Sequence, residues 1–366
     1  MCHTAMFRLK TLTALAGLVL VASTPLAGDP AAFTMIVLPD TQVYTETDEG
    51  AAIFRKQTNW IVANRSALNI RFVMHEGDVV ETASSEAQYV RARAAMSVLD
   101  QAAPAVPYGV LPGNHDSVFD SKSQFTRFFG PNSGVNFGVT SFQAYPWWGG
   151  SYMPNQRHVG NYQVYSVPNA GDFVVVHLAW IPNIDTHQGI TTLADQTGDS
   201  GEVLRTKAML RWADGVLKAN ANKRAILVFH AFLSLRNGVA ERMVGGNPLA
   251  GTEFIWQTLI VPNPNVFLTL NGHELGLQAE ANRSDFAGGR WVHQVLANYQ
   301  SRAAGGSGWL RILTYEPTDR RIRVRTYSPH LNQYEQDANS EFTLPLDGSA
   351  TTPPVLAAPR NLRIGG

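Results

Sequence analysis

Five short apolar runs in this chain end in residues able to hold a cation. FTMIVLPD carries Asp40, with Gln42 two places on; IRFVMHEGD carries Asp78; YGVLPGNHD carries Asn114, His115 and Asp116; AILVFHA carries His230; VFLTLNGH carries His273. Carboxylate and amide oxygens together with imidazole nitrogens are the ligands that hard and borderline divalent cations take. Each residue alone has a plainer use, since Asp and Asn cap helices and close turns and a lone core histidine is usually just hydrogen-bonded. Five in register are a candidate cation site, because the carboxyl ends of strands in an open α/β sheet converge on one crevice.

The elements that must position these residues are legible from period and punctuation. The five runs read as buried strands that stop at Gly, Pro, Asn, Asp or His. Helical spacing links Ile53, Phe54, Trp60, Ile61 and Leu68, then recurs over Glu86 to Leu99 and again at Leu204, Ala208, Trp212 and Val216. Strand and helix alternate, which predicts an α/β layered fold. Two hairpins interrupt the rhythm, NYQVYSVPNAGDFVVVHLAW with a turn at Asn169 to Asp172 and WLRILTYEPTDRRIRVRTYSP with a turn at Pro317 to Asp319, implying antiparallel strands at sheet edges. Gly130 to Gly160 reads as a long aromatic loop near a functional rim, or as a packing patch.

With 366 residues, 45% hydrophobic and 16% charged, the chain can build a sizeable core. Its 29 basic and 29 acidic residues balance, so no long-range field marks a nucleic-acid or membrane partner, and an acidic substrate must be gripped locally. Residues 1–28 combine Arg8 and Lys10, an apolar stretch from Leu12 to Ala22 and small residues at Ala27 and Gly28, the pattern of a secretory signal peptide. The expected location is therefore secreted or periplasmic, with no membrane span after cleavage. The only cysteine, Cys2, lies in that segment, which excludes disulfides, thiolate ligands and a cysteine nucleophile from the mature chain. Residues 348–366 read as a linker whose APRNLRI resembles the first strand of a fibronectin type III module.

The blocks LPDTQ, GDVVE, PGNHD, VFHA and NGHE, in that order, resemble the signature of calcineurin-like metallophosphoesterases. The surrounding sequence, RWADGVLKANANKRAILVFHAFL, VLANYQ and VRTYSP among it, is similar to a secreted bacterial branch that writes Gln in the first block. The resemblance runs from about Phe33 to Leu346. It implies a four-layer α/β/β/α sandwich of two mixed sheets flanked by helices over residues 29–347, and a metal-dependent hydrolase of phosphate monoesters or diesters. It also implies one or two divalent ions, with manganese, iron, zinc, magnesium and calcium all open, since the ligand set mixes oxygen and nitrogen. On this pattern Asp78 bridges two ions, Asp40 holds the first with Gln42, and Asn114, His230 and His273 complete the second. His115 would be the general acid, with Asp116 holding its ring.

Two departures concern the first ion. Where the family pattern has a histidine two residues after the aspartate stands Gln42, and where the last block ends in a second histidine stands Leu275. An amide oxygen coordinates weakly and leucine not at all, so the first position is expected to be loosely filled. His75 and Glu274 are nearby substitutes, although strand alternation sets His75 apart from Asp78. Glu81 reads either as a support of the GNHD loop or as a surface ion pair, and His177 as structural. His158, His187, His293 and His330 receive no role. The competing reading is a binding or structural protein on an impaired phosphoesterase fold. A serine hydrolase of the α/β type is disfavoured by the lack of GxSxG, and a zincin by the lack of HExxH.

Overall fold

The computed structural model describes residues 29, 31–182, 190–236, 238–242 and 252–346. The expected signal peptide, the C-terminal linker and His187 lie outside them. The described residues hold sixteen strands in chain order: β1 (Phe33–Leu38), β2 (Ile70–His75), β3 (Tyr108–Val110), β4 (Trp148–Tyr152), β5 (Gly160–Val167), β6 (Gly171–Leu178), β7 (Arg224–Phe229) and β8 (Leu233–Arg236), then β9 (Val239–Arg242), β10 (Val266–Asn271), β11 (Ala279–Ala287), β12 (Arg290–Asn298), β13 (Leu310–Glu316), β14 (Arg321–Ser328), β15 (Gln333–Glu335) and β16 (Glu341–Pro345). One sheet runs β15-β14-β13-β1-β2-β3 with β16 on β14; the other runs β11-β12-β10-β7-β6-β5-β4; β8 and β9 form a separate hairpin.

Each sheet is mixed for a reason visible in its connections. Strands β1, β2 and β3 are parallel because helices Asp48–Asn64 and Glu86–Gln101 carry the chain back between them. Strands β6, β7, β10 and β12 are likewise parallel in register. The two expected hairpins are present as β5–β6 and β13–β14, each antiparallel. Two of the long helices start on side-chain caps, Thr47 accepting from the Gly50 amide at 3.0 Å and Ser200 from the Val203 amide at 3.3 Å.

Alternation along the strands divides the core in two. Phe33, Met35 and Val37 of β1 with Phe72 and Met74 of β2 pack between the sheets against Phe173, Val175, Ile226 and Val228. The opposite-phase neighbours Ile36, Leu38 and Val73 join the cluster that includes the helix residues Phe54, Ile61 and Met96. Phe33 and Phe173 meet edge to face at 5.1 Å across the gap. Truncating either to alanine costs about 3–5 kcal/mol on the usual scale for buried aromatics. The result is the four-layer α/β/β/α sandwich, with helices outside two facing sheets.

The Gly130–Gly160 stretch is less loop-like than its composition suggests. It contains β4 at the sheet edge, and its aromatics pack inward: Trp147 stacks on Tyr145 at 4.1 Å, and Trp148 lies over Phe142 at 5.9 Å. No helix among the described residues is long and apolar enough to cross a membrane.

Candidate metal centre

Five parallel strands, β1, β2 and β3 of one sheet and β7 and β10 of the other, deliver the expected residues to one end of the sandwich. Backbone geometry just past the strands is unusual at two of them. Asp78 has φ 48° and His273 φ 69°, both in the left-handed region that costs a non-glycine residue energy. Two glycines permit the close approach. A Cβ on Gly113 would stand 2.1 Å from Asp78 Oδ1, and one on Gly272 2.8 Å from Asp40 Oδ1. The G of GNHD and the G of NGH are therefore there to let carboxylates in.

Around Asn114 the acceptors crowd. Its Oδ1 lies 2.8 Å from His230 Nε2 and 2.9 Å from His273 Nδ1, and those two nitrogens are 3.1 Å apart. Asp78 Oδ2 is 3.3 Å from His230 Nε2. His230 Nδ1 faces the Glu76 carbonyl at 2.9 Å and must donate to it, so in the neutral ring the Nε2 lone pair looks into the cluster. Asp78, His230 and His273 each offer a ligand atom within 4.8 Å of the others. This is the set expected for the second ion, Asn114 included.

The set expected for the first ion is oxygen-rich. Asp40 and Gln42 are 3% and 2% exposed, yet Asp40 Oδ1 and Gln42 Oε1 have no hydrogen-bond partner. Buried oxygens left unpaired cost free energy, so they call for a donor or a cation. Asp40 Oδ2 is held by the His273 amide at 2.8 Å, and Asp78 Oδ1 by the His115 amide at 2.8 Å. Leu275 takes no part: it is 68% exposed, in solvent beside Leu277. Of the substitutes, His75 is spent between the Thr41 hydroxyl at 3.0 Å and the Gly77 amide at 3.1 Å, and burial holds it neutral, at about 3. Glu274 stands apart, its carboxyl accepting from the backbone of Leu235.

Titration behaviour reports the same shortage of positive charge. Burial pushes Asp40 up to about 8, with Asp78 adding to the push and His230 opposing it. Burial works against a charged His230, but Asp78 and Asp40 outweigh it and lift the ring to about 9. Protons are held where a cation would serve. The residues thus fit divalent ions: Asn114, His230 and His273 on one side, two oxygens without hydrogen bonds on the other, and Asp78 to share.

His115 is positioned, but not by Asp116. Its Nδ1 faces the Glu81 carbonyl at 3.0 Å and the Glu81 carboxylate at 3.3 Å, leaving Nε2 for other work. Asp116 is fully buried and faces away from the ring: Oδ2 accepts from the Gly113 and Val79 amides at 2.8 and 3.1 Å, and Oδ1 from the Tyr89 hydroxyl at 3.3 Å. The expectation that Asp116 holds the ring is therefore corrected. An aspartate one residue after a histidine in a tight turn points to the loop's own amides, and the task falls to Glu81.

Two residues were missed by the sequence reading. Glu76 is 1% exposed with Oε2 unpartnered, and burial, reinforced by Asp40, keeps its carboxyl well above the usual range. Its phase with Met74 was the available signal, placing it between the sheets beneath the centre. Trp180 packs its ring 4.7 Å from His273 and 5.8 Å from His230. Nothing in LAW marks it. Three arginines are committed to partners: Arg157 is aimed at the carbonyls of Val118 and Phe119, Arg283 at Asp285, Arg302 at Glu280 and Glu335. Tyr299 is buried against Glu280 at 2.8 Å, so packing accounts for it.

No family model matches the chain. It is 34% identical over 325 residues to the Bacillus subtilis (strain 168) protein called "Uncharacterized protein YvnB", a match covering 86% of this chain and 22% of that protein. The chain thus spans about a fifth of that relative's length. Among solved structures it is similar to a dimetal phosphatase from Danio rerio, with TM-score 0.51 and 13% identity, covering 86% of this chain and 99% of the other. At that identity the likeness speaks for the architecture alone: the chain shares the fold of that phosphatase.

Proposed function

We propose that this chain is an exported, metal-dependent phosphoesterase. The observation that carries the reading is the convergence of Asn114 Oδ1, His230 Nε2, His273 Nδ1 and Asp78 Oδ2, four atoms able to ligate a cation. Asp40 and Gln42 would hold a first ion, Asp78 would be shared, and Asn114, His230 and His273 would hold a second. Divalent ions bound there would supply Lewis-acid stabilisation of charge on the phosphoryl oxygens and an acidified water. The chain's own contribution is placement. The Glu81 carbonyl and carboxylate fix His115 through Nδ1, so Nε2 is the atom that gives its proton to the departing ester oxygen. Gly113 and Gly272 let the carboxylates of Asp78 and Asp40 close on the site.

The competing reading, an impaired binding protein on the same fold, draws on Gln42 and Leu275. Against it stands the cost of burying Asp40 Oδ1, 3.5 Å from His230 Nδ1, and Gln42 Oε1 without hydrogen bonds, which a purely structural role gives no reason to keep. Export rests on the basic and apolar pattern of residues 1–28. The test is metal analysis of the purified chain, followed by turnover of nitrophenyl mono- and diesters after adding manganese, zinc or iron. Metal uptake with ester cleavage is expected. Failure to bind any metal, or activity indifferent to His115→Ala, would sink the reading.

A further inference from the structure

Two cavities open beside the centre, and they differ in chemistry. One, about 330 Å³, is lined by Glu81, Thr82, Ser84, Asn114, His115 and Lys122 and is polar. The other, about 320 Å³, has walls of Phe119, Tyr152, Val159, Trp180, Ile181 and Met209. Trp180 is common to this second cavity and to the packing of His273 and His230, so its indole is the wall that the apolar cavity shares with the metal ligands. Phe119 ties it to the loop that begins at His115.

The charges at its rim are engaged. Arg211 pairs with Asp195 at 2.6 Å and bonds the Leu193 carbonyl, while Arg205 lies 3.9 Å from Glu202 and 5.9 Å from the Phe119 ring. An anionic tail would have to compete for these cations, whereas an uncharged apolar group meets aromatic and aliphatic walls. The volume suffices: a cavity of about 150 Å³ lined by apolar side chains already accepts benzene. Arg157, Arg283 and Arg302 are all committed to other partners, which leaves Lys122 as the cation lining the polar cavity beside His115, while the two cavities offer room on two sides.

We infer that the substrates of this site are phosphodiesters with unlike ends, a polar alcohol that departs beside His115 and an apolar, aryl-sized group that stays on phosphorus and occupies the Trp180 cavity. The inference rests on the phosphoesterase reading above. The bond broken is the one to the polar alcohol, which takes its proton from His115, and water supplies the oxygen that replaces it on phosphorus.

Binding and turnover test it separately. In the manganese-loaded chain, calorimetry with methyl-, phenyl- and 3-phenylpropylphosphonate should show one of the two aryl ligands binding at least tenfold tighter than the methyl compound. Ala208→Trp, which places an indole in the cavity from a half-buried helix position, should collapse that ratio to within about twofold. Leu204→Lys, at a rim position 37% exposed, should shrink the ratio too and serves if the first variant does not fold. The kcat/KM of p-nitrophenyl phenylphosphonate should exceed that of p-nitrophenyl methylphosphonate in the same sense. Equal binding of all three phosphonates, binding of none, or a ratio untouched in a folded variant would overturn the inference. Turnover without the aryl preference would fail the cavity alone; an aryl preference without turnover of any ester would fail the phosphoesterase reading alone.

Discussion

His230 Nε2 and His273 Nδ1 face each other across 3.1 Å, with Asn114 Oδ1 2.8 and 2.9 Å from them. Acceptors so placed repel one another until a cation or a proton separates them. Removing either ring should therefore cost more metal affinity than the roughly 10–100-fold that follows loss of an outer-shell partner. Chelator competition on His230→Ala and His273→Ala measures this. The wild-type chain should also gain about 2.7 kcal/mol of stability at a hundredfold excess of metal over Kd, seen as a rise in Tm that EDTA reverses. A Tm indifferent to both metal and chelator would contradict the assignment.

The first ion's position gives a second prediction. Gln42 is buried with its amide oxygen unpaired, and its neighbour Asp40 is in the same condition. An imidazole in place of that amide is a stronger ligand for zinc or manganese. Gln42→His should raise bound metal toward two equivalents at limiting concentration, and Gln42→Leu should reduce it toward one. Metal counting by mass spectrometry on the intact protein decides. Identical stoichiometry in all three chains would mean that Gln42 does not face an ion.

Strand-end chemistry was readable in the sequence because each ligand closes a continuous apolar run, and parallel strands bring such ends together. The helices and hairpins were readable from period and turn residues. What escaped was lateral packing. Trp180 against His273, Glu76 beneath Asp40 and the inward stacking of Trp147 depend on which element lies opposite, and a one-dimensional pattern gives a residue's face without its partner. Asp116 failed differently: its role came with the family resemblance, and in this chain its carboxylate is taken by the Gly113 and Val79 amides and the Tyr89 hydroxyl.

His115 and Glu81 carry a third prediction. Since Glu81 fixes the ring through Nδ1, His115→Ala should lower kcat by about 10²–10⁴, the usual range for losing a general acid, while leaving metal content intact. Glu81→Gln keeps the carbonyl contact to Nδ1 and should cost far less, because the ring stays anchored. If Glu81→Gln reduced metal content instead, its role would lie with the ions.

Acid stability should be set in part by histidines remote from the ions. His177 is fully buried with neither ring nitrogen hydrogen-bonded, its ring lying where Gly109 has no side chain, and burial, helped by the charges of His75 and His158, holds it at about 3. Burial alone does the same to His158, at about 3. The unfolded chain binds a proton at each near pH 6.5 and the folded chain does not, so stability is full above 6.5 and falls as pH drops toward 3. By pH 5 each site has cost about 2 kcal/mol. Urea unfolding of wild type and His177→Leu at pH 7.5 and pH 5 separates packing from titration: packing shifts both values alike, while titration shifts only the difference. That difference should be smaller in the variant by about 2 kcal/mol. An unchanged difference would mean that His177 is protonated in the folded chain, with an acceptor supplied to its ring.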